Sequence, residues 1–269
     1  MAIVTISRGS YSKGKEVAEK VAEHLGYRCV SRDILIEASQ DFNVPEIKLI
    51  RAIQDAPSIF KALEYGKEKY IAYIKAALLK QLCSDDVVYH GLAGHFFISG
   101  VSHVLKVRIV ADLEDRIRLE MAREGISHEK AMALLQKDDE ERRKWSRDLY
   151  GIDAWDASLY DLVIHIKRLS TEDATRIIVD TVKLNKFATT PESNRALHDL
   201  ALAAEVKAAL MDVKYDINVE ARDGSVEIRL HAPPARQPEM KRRIHEIAEA
   251  IPGVKNIDLK MSRITMYGE

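Results

Sequence analysis

The chain has 269 residues, a length that corresponds to about two domains. Its 41 basic and 42 acidic side chains give a net charge of −1, which excludes a globally basic nucleic-acid-binding protein and an acidic solvating tail. Hydrophobic residues make up 46% and charged residues 31%, so the chain can bury a core. Aromatic residues are only 6%, and a core built from Ala, Leu, Ile and Val is typical of α/β proteins.

The cysteines and the N-terminus both favour a reducing compartment. Cys29 and Cys83 cannot form a disulfide framework and do not have the spacing of metal ligands. Residues 1–6 carry no targeting pattern, and no apolar run approaches the ~18 residues needed to span a bilayer. We therefore expect a soluble, cytoplasmic protein.

The first part of the chain alternates predicted strands with predicted helices. A β-branched apolar run at residues 2–6 predicts a buried strand, and apolar spacing from Val17 to Leu25 predicts a helix that Gly26 ends. Further strands are predicted at residues 29–30, 87–89, 104–110 and 162–166. Further helices are predicted at residues 34–39, after Pro45, and at residues 58–82, 113–123, 128–148 (one helix or two) and 171–184. This alternation predicts a three-layer α/β/α fold around a mostly parallel sheet.

The pattern changes after residue 185. A polar stretch without a capping signal predicts a linker at residues 186–195, between a first domain at 1–185 and a second at 196–269. In the second domain we expect a helix at 197–210, a hairpin of strands 216–221 and 226–230, a helix at 238–250 and a strand at 255–261. This αββαβ order predicts a small α+β domain, near the lower size limit for independent stability.

One motif carries the chemistry. Gly9-x-x-x-x-Gly14-Lys15 matches the first seven positions of the phosphate-binding P-loop and lies between a predicted strand and a predicted helix. Glycines let successive backbone N–H groups point at phosphate oxygens, the helix presents its positive end, and the lysine supplies charge to the β- and γ-phosphates. The alternative is an ordinary glycine-containing turn with solvated lysines. The expected nucleotide-binding residues here are Gly9, Ser10, Ser12, Lys13, Gly14, Lys15 and Glu16.

Glu16 departs from the pattern at its eighth position. A Ser or Thr there would bind Mg²⁺ through its hydroxyl. The Glu16 carboxylate can hold the metal through water, or it can occupy the first helical turn, where the dipole favours it. Both interpretations remain open from the sequence.

Several stretches beside the loop resemble the cytidylate kinase-like branch of the P-loop nucleoside monophosphate kinases. They are IVTISRG at 3–9, AEHLGY at 22–27, SRDIL at 31–35, HGLAG at 90–94, KDDEER at 137–142, and YGID and YDLVI within 150–164. In this branch a Glu directly after the last basic residue of the loop is common, which matches Glu16. The resemblance covers the first domain and implies its fold.

The resemblance also implies a reaction, the transfer of the ATP γ-phosphoryl group to a nucleoside monophosphate with Mg²⁺. It places Lys15 on the β/γ-phosphates and a lid over the donor in the charged segment that contains Arg142, Arg143 and Arg147. Since Arg142 and Arg143 cannot share a helical direction, we expect only one of them to point inward with Arg147. Arg116 is a further candidate beside the donor nucleotide. The alternative for the lid arginines is a solvated helix face with i,i+4 ion pairs.

On the acceptor side, the resemblance implies a site that begins at Ser31, Arg32 and Asp33. Arg32 would neutralise the acceptor phosphate. Asp33 would orient the attacking group or accept its proton, or it caps the next helix.

The end of the third predicted strand departs from the family pattern. Cytidylate kinases typically have an arginine after the glycine here, whereas this chain has Leu92 after Gly91. His90 and His95 flank this turn, and either can donate to a phosphate, titrate near neutral pH or be structural. The missing arginine puts CMP in question as the acceptor and leaves another small phosphorylated or nucleoside-like molecule as the alternative.

Residues 196–269 resemble a BON-like module, a type associated with binding at membranes or to other ligands. Its basic residues Arg236, Lys241, Arg242 and Arg243 would meet anionic lipid or phosphate, or they form a solvated helix face. Besides a purely structural interaction protein, which would not bind ATP, two functions remain open. One is an ATP-dependent kinase with an appended binding domain. The other, which Glu16 and Leu92 favour, is a catalytically degenerate nucleotide sensor that acts through the C-terminal domain; neither involves a nucleic-acid polymer.

Overall fold

A computed structural model describes residues 2–8, 13–31, 38, 40–42, 66–91 and 94–262. The chain divides into two compact units. The first contains Met1–Asp33, Ile53–Ala62 and Ser84–Ser193, and the second contains Ile34–Ala52, Leu63–Cys83 and Asn194–Glu269. The second unit thus includes earlier segments that the sequence analysis assigned to the first domain. The domain boundary at 186–195 stays a prediction.

A parallel sheet of five strands forms the centre of the first unit. Its strands are β1 (Ile3–Arg8), β2 (Arg28–Val30), β3 (Val87–His90), β4 (Val104–Ala111) and β5 (Leu162–Ile166). Their spatial order is β2-β3-β1-β4-β5, and every neighbouring pair is parallel. Ligands of such sheets bind beyond the carboxyl ends of the strands, so the loop after the central strand β1 is well placed for one.

Helices flank this sheet, as the sequence pattern predicts. They are α1 (Gly14–Leu25), α3 (Gly94–Phe97), α4 (Leu113–Glu124), α5 (His128–Tyr150) and α6 (Thr171–Val182), while α2 (Gly66–Leu82) belongs to the second unit. One sheet face, with Val4 and Val107, packs against Val17 of α1 and Ile178 of α6 in a buried apolar cluster. The predicted α/β/α fold is confirmed. The charged segment around residues 128–148 forms one continuous helix.

The other face of the sheet is polar near the carboxyl end of β1. Because side chains alternate along a strand, Thr5 and Ser7 lie opposite the apolar cluster, as do Lys106 and Arg108 of β4. Ser7 and Arg108 are register partners. Thr5 is 2% exposed, so this polar surface is partly buried.

The second unit contains a three-stranded mixed sheet. Its C-terminal elements are α7 (Pro191–Leu210), β6 (Ile217–Arg222), β7 (Ser225–His231), α8 (Gln237–Glu249) and β8 (Asn256–Ser262). β6 and β7 are antiparallel, and β8 adds parallel to β7. Asp223 and Gly224 have φ values of 51° and 86°, which the tight turn of a β-hairpin requires. The αββαβ order is confirmed, and the likeness to a BON-like module stays a prediction.

The predicted linker is largely structured. α7 begins at Pro191, inside the stretch that we expected to be uncapped. Ser193 donates its backbone N–H to Thr190 Oγ1 at 3.1 Å, and Thr190 donates its N–H to Ser193 Oγ at 3.0 Å. This reciprocal cap and a proline at the first helical position start the helix early. The sequence analysis missed this signal because Ser replaces the usual Glu or Gln of a capping box.

The basic residues of the second unit, the possible membrane spans and the cysteines can each be compared with the sequence-based expectation. The basic residues Arg236, Lys241, Arg242 and Arg243 are all exposed, and Arg242 pairs with Glu246 at 3.3 Å, as on a solvated helix face. Among the residues that the structure describes, no helix is both long and apolar enough to cross a bilayer. Cys83 is a free thiol.

Candidate active site

The first residue of α1 lies close to the last residue of β1. Lys13 precedes α1 with a left-handed φ of 60°, and Gly14 is the first helical residue. A Cβ on Gly14 would lie 2.6 Å from Cβ of Arg8, so only glycine fits without a shift of the strand. The unpaired N–H groups of the first turn of α1 are natural donors to an anion. Gly9, Ser10 and Ser12 lie outside the described residues.

Lys15 and Glu16, which follow Gly14, have different surroundings. The Lys15 side chain is 63% exposed and its only close carboxylate among the described residues is Glu19, at 3.6 Å. It can therefore reach a phosphate without breaking a buried contact. Glu16 accepts a hydrogen bond from Thr171 Oγ1 at 2.8 Å and lies 3.4 Å from Lys20 Nζ. Glu16 therefore sits in the first helical turn and ties α1 to α6.

This geometry does not support Glu16 as a metal ligand. Its carboxylate is already engaged by a hydroxyl and an ammonium group. Within the described part of the chain, no group of three or more His, Cys, Asp or Glu side chains could hold a metal ion.

The arginines of α5 point in two directions. Arg142 Nη1 donates to the backbone carbonyl of Arg8 at 3.3 Å, beside the end of β1. Arg143 donates from Nη2 to Asp153 at 2.6 Å, and Arg147 Nη2 donates to the same carboxylate at 2.7 Å. As expected, neighbouring arginines do not share a direction. Arg143 is the one that accompanies Arg147.

Asp153 organises the segment that follows α5. The hydrogen bond from Arg143, with those from the Trp155 N–H and Arg147, holds the pKa of Asp153 well below its usual range. Trp155 is 51% exposed, and its ring lies 4.7 Å from the Arg143 guanidinium and 5.9 Å from that of Arg108. The Trp155 ring thus lies within cation–π distance of an arginine of α5 and of an arginine of the sheet.

Tyr160 is the buried centre of this region. Its hydroxyl donates to the Ala154 carbonyl at 2.9 Å and lies 3.3 Å from Ser7 Oγ and 3.2 Å from His95 Nε2. Arg108 also donates to the Ala154 carbonyl and lies over the Tyr160 ring. This cluster connects the carboxyl end of β1 to the segment after α5.

His95 is neutral in this setting. Burial, with the positive charges of Lys106 and Arg108, lowers its pKa to about 3. Of the three alternatives for His95, titration near neutral pH is therefore wrong, because His95 is packed against Tyr160 instead of solvent.

The family comparison covers most of this unit. A family model described as "Cytidylate kinase-like family" matches residues 3–168, more than half of the chain. The chain belongs to this cytidylate kinase-like family. Together with the parallel sheet, the assignment identifies a nucleotide kinase with the P-loop kinase fold.

Individual relatives agree with the family. A cytidylate kinase of Methanopyrus kandleri is 28% identical over 185 residues, which cover 65% of this chain and 90% of that protein. A cytidylate kinase of Staphylothermus marinus is 29% identical over 187 residues, 68% of this chain and 97% of that protein. A crystal structure of an uncharacterised protein from Eubacterium ventriosum has a TM-score of 0.53 at 21% identity, and covers 67% of this chain and 97% of that chain. The last comparison supports the fold alone.

The remaining predicted residues of this kinase have mixed surroundings. Arg116 is 8% exposed and donates to both carboxylate oxygens of Asp139, at 2.8 and 3.0 Å, so it joins α4 to α5. Gly91 follows β3, where a Cβ would lie 2.5 Å from the Tyr89 hydroxyl. His90 is buried at 6% exposure. Ser31 is half-buried after β2. Arg32, Asp33 and Leu92 lie outside the described residues.

Sequence reasoning missed three residues that lie near the carboxyl end of β1 and contact one another: Arg108, Trp155 and Tyr160. Arg108 left a signal, because a charged residue two positions from Lys106 alternates with buried aliphatic residues in one strand. Tyr160 belongs to a stretch that resembles the family, but nothing in the sequence showed its partners.

Proposed function

We propose that this kinase transfers the γ-phosphoryl group of ATP to a nucleoside monophosphate or a similarly small phosphorylated acceptor. One observation carries the proposal. The family-matched strand β1 leads into a glycine-requiring helix start at Gly14, and lid residue Arg142 contacts the last residue of that strand. Phosphoryl transfer depends mainly on positioning and charge neutralisation, which converging cations supply.

In this proposal Lys15 binds the β/γ-phosphates of ATP. Arg143 and Arg147 exchange their shared partner Asp153 for phosphate oxygens as the lid closes, which excludes water from the donor. Arg116 holds the lid helix through Asp139 instead of contacting the donor.

Magnesium is expected with ATP, and its charge neutralises the phosphate oxygens when it is bound. The described residues provide no cluster of ligands, and Glu16 is engaged by Thr171 and Lys20. We therefore propose that Mg²⁺ arrives coordinated mainly by the phosphates and water.

We propose that the contacts of this kinase with its acceptor differ from those of a cytidylate kinase with CMP. Leu92 replaces the expected arginine, and neutral, buried His95 cannot replace that positive charge. Arg32 is the proposed cation for the acceptor phosphate, with Ser31 and Asp33 beside it. A cytoplasmic location stays a prediction.

Lys15→Ala tests the donor site. We expect it to weaken ATP binding, measured by calorimetry, by at least about ten-fold, because the charge on the phosphates is lost. Lys186→Ala removes an exposed lysine of the same unit and serves as the control. Unchanged ATP affinity in Lys15→Ala would contradict the proposal.

A turnover assay over nucleoside mono- and diphosphates tests the reaction itself. Product formation with one acceptor, lost in Lys15→Ala, is expected. Tight ATP binding without product from any acceptor would instead support the nucleotide sensor, which the Leu92 replacement favours.

A further inference from the structure

Asp153 is the shared partner of two arginines of α5 and would lose both of them in the proposed reaction. Its side chain is 26% exposed and accepts hydrogen bonds from Arg143 at 2.6 Å and from Arg147 at 2.7 Å. If both arginines move to the phosphates of ATP, this carboxylate is left without a cation. A partly buried carboxylate in that state is costly unless another cation takes their place.

Arg108 of β4 contacts the two residues that follow Asp153 in the chain. Its guanidinium donates to the Ala154 carbonyl and lies 5.9 Å from the centroid of the Trp155 ring. The Arg143 guanidinium, which holds Asp153, lies 4.7 Å from the centroid of the same ring. The two arginines therefore flank one short segment, and a rotamer change of Arg108 is the movement that would exchange one for the other.

Arg108 has no carboxylate partner among the residues that the structure describes. Its register neighbours on the sheet, Ser7 of β1 and Val163 of β5, are uncharged. Asp161 lies beside the preceding part of β4, where it accepts the backbone N–H of Lys106 at 2.8 Å. The half-buried guanidinium of Arg108 is thus held next to the Asp153 segment without being used in an ion pair.

Other groups near this segment are less suited to such an exchange. Arg142 donates to the Arg8 carbonyl at 3.3 Å, beside the proposed phosphate site. His95 is neutral, because its pKa is lowered to about 3. Lys106 precedes Arg108 by two residues on β4, so its Cβ is about 7 Å away from that of Arg108 along the strand.

The Ala154 carbonyl keeps a hydrogen-bond partner when Arg108 leaves it. The Tyr160 hydroxyl donates to the same carbonyl at 2.9 Å. The N–H of Ala154 donates to Ser146 Oγ of α5 at 3.3 Å. These two hydrogen bonds hold Ala154 from both sides, so the exchange leaves none of its polar groups unpaired.

We propose that Arg108 is a positioning residue, which pairs with Asp153 when Arg143 and Arg147 transfer to ATP. The exchange keeps the carboxylate neutralised both before and after ATP binds. ATP thereby gains two arginines without leaving a partly buried charge unpaired. This role of Arg108 rests on the proposed function, because it begins with two arginines that bind ATP.

Calorimetry with ATP on Arg108→Gln tests this role without knowledge of the acceptor. We expect Kd for ATP to rise at least about five-fold at an unchanged number of sites per chain, because a stranded Asp153 opposes binding. Arg108→Lys keeps the charge and should return Kd to within about two-fold of the wild-type value. Arg176→Gln removes an arginine that is 71% exposed on α6 and is the control. An unchanged Kd in Arg108→Gln, or fewer sites at an unchanged Kd, would overturn the proposal.

A double-mutant cycle separates this role from damage to the fold. In an Asp153→Asn background there is no carboxylate to neutralise, so adding Arg108→Gln should change Kd for ATP by less than about two-fold. The full rise in that background as well would overturn the proposal, since Arg108 would then act on another group.

Lys15→Ala, measured beside these variants, distinguishes failure of this role from failure of the kinase assignment. Weakened ATP binding in Lys15→Ala with an unchanged Kd in Arg108→Gln overturns only the role of Arg108. Unchanged binding in Lys15→Ala contradicts the proposed donor site. A wild-type protein that binds no ATP overturns both proposals.

Discussion

Arg143 and Asp153 form a bidentate ion pair that joins α5 to the segment before β5. Arg143 Nε lies 3.0 Å from each carboxylate oxygen, and Nη2 lies 2.6 Å from Oδ2. Arg147 and the Trp155 N–H share the same carboxylate. A single aspartate thus orients two arginines that are proposed to meet ATP.

Replacing this aspartate should weaken the use of ATP more than the fold. In Asp153→Ala the two arginines lose their common anchor, so we expect KM for ATP to rise roughly ten-fold, measured by steady-state kinetics. Asp180→Ala, at an exposed site on α6, is the control. An unchanged KM in Asp153→Ala would show that the lid arginines do not depend on this pair.

The lowered pKa of His95 should make the free energy of unfolding depend on pH. Its folded-state pKa is about 3, below the ordinary value of 6.5, so the unfolded chain binds the proton first as the pH falls. His95 therefore reduces the free energy of unfolding as the pH falls from 6.5 towards 3, by on the order of 1 kcal/mol per pH unit. Denaturant unfolding of His95→Gln between pH 4 and 7 should show a shallower slope than the wild type. An unchanged slope, matching that of the exposed-site control His198→Gln, would mean that His95 is charged when folded.

The contact between Glu16 and Thr171 predicts a stability effect without a metal effect. Glu16→Ala and Thr171→Val each remove a hydrogen bond between α1 and α6, and each should lower the free energy of unfolding by about 0.5–1.5 kcal/mol. The double variant should cost less than the sum, because both changes break the same bond. The Mg²⁺ concentration for half-maximal activity should not change. If this Mg²⁺ concentration rises for Glu16→Ala but not for Thr171→Val, Glu16 is a metal ligand after all.

Gly14 predicts a steric effect at the start of α1. Gly14→Ala places a methyl group 2.6 Å from Cβ of Arg8 and should lower the free energy of unfolding by ~1–3 kcal/mol, although alanine favours helices. In an Arg8→Gly background this cost should shrink, because the opposing Cβ is gone. Arg8→Ala keeps that Cβ and is the matched control. An equal cost in all three backgrounds, measured by denaturant unfolding, would contradict the proposed clash.

Local patterns predicted most elements of the first unit. The strand at Leu162–Ile166 has the predicted bounds, and α1 ends at Leu25 before Gly26 as expected. These elements follow from short-range spacing, so the sequence shows them directly. The early start of α7 was missed because a Thr190–Ser193 cap is a weaker pattern than the usual capping box.

The surroundings of the candidate site were less predictable. The sequence pointed to Lys15 and the α5 arginines, but it left open which arginine accompanies Arg147 and what Glu16 contacts. Thr171, the partner of Glu16, is 155 residues away in the chain, so no local pattern connects them. The same holds for Ser7 and Tyr160, 153 residues apart.

The length and the net charge of the chain are compatible with a kinase and with a second α+β unit. The motifs and the order of the predicted elements then indicated both. By itself the sequence determined the strand and helix order, the P-loop pattern and the family, because these depend on residue types at short spacing. Only the tertiary structure decided that His95 is neutral, that Asp153 holds both Arg143 and Arg147, and that Glu16 contacts Thr171. Protonation and ion pairing depend on burial and on charges brought together from distant parts of the chain, which spacing along the sequence does not contain.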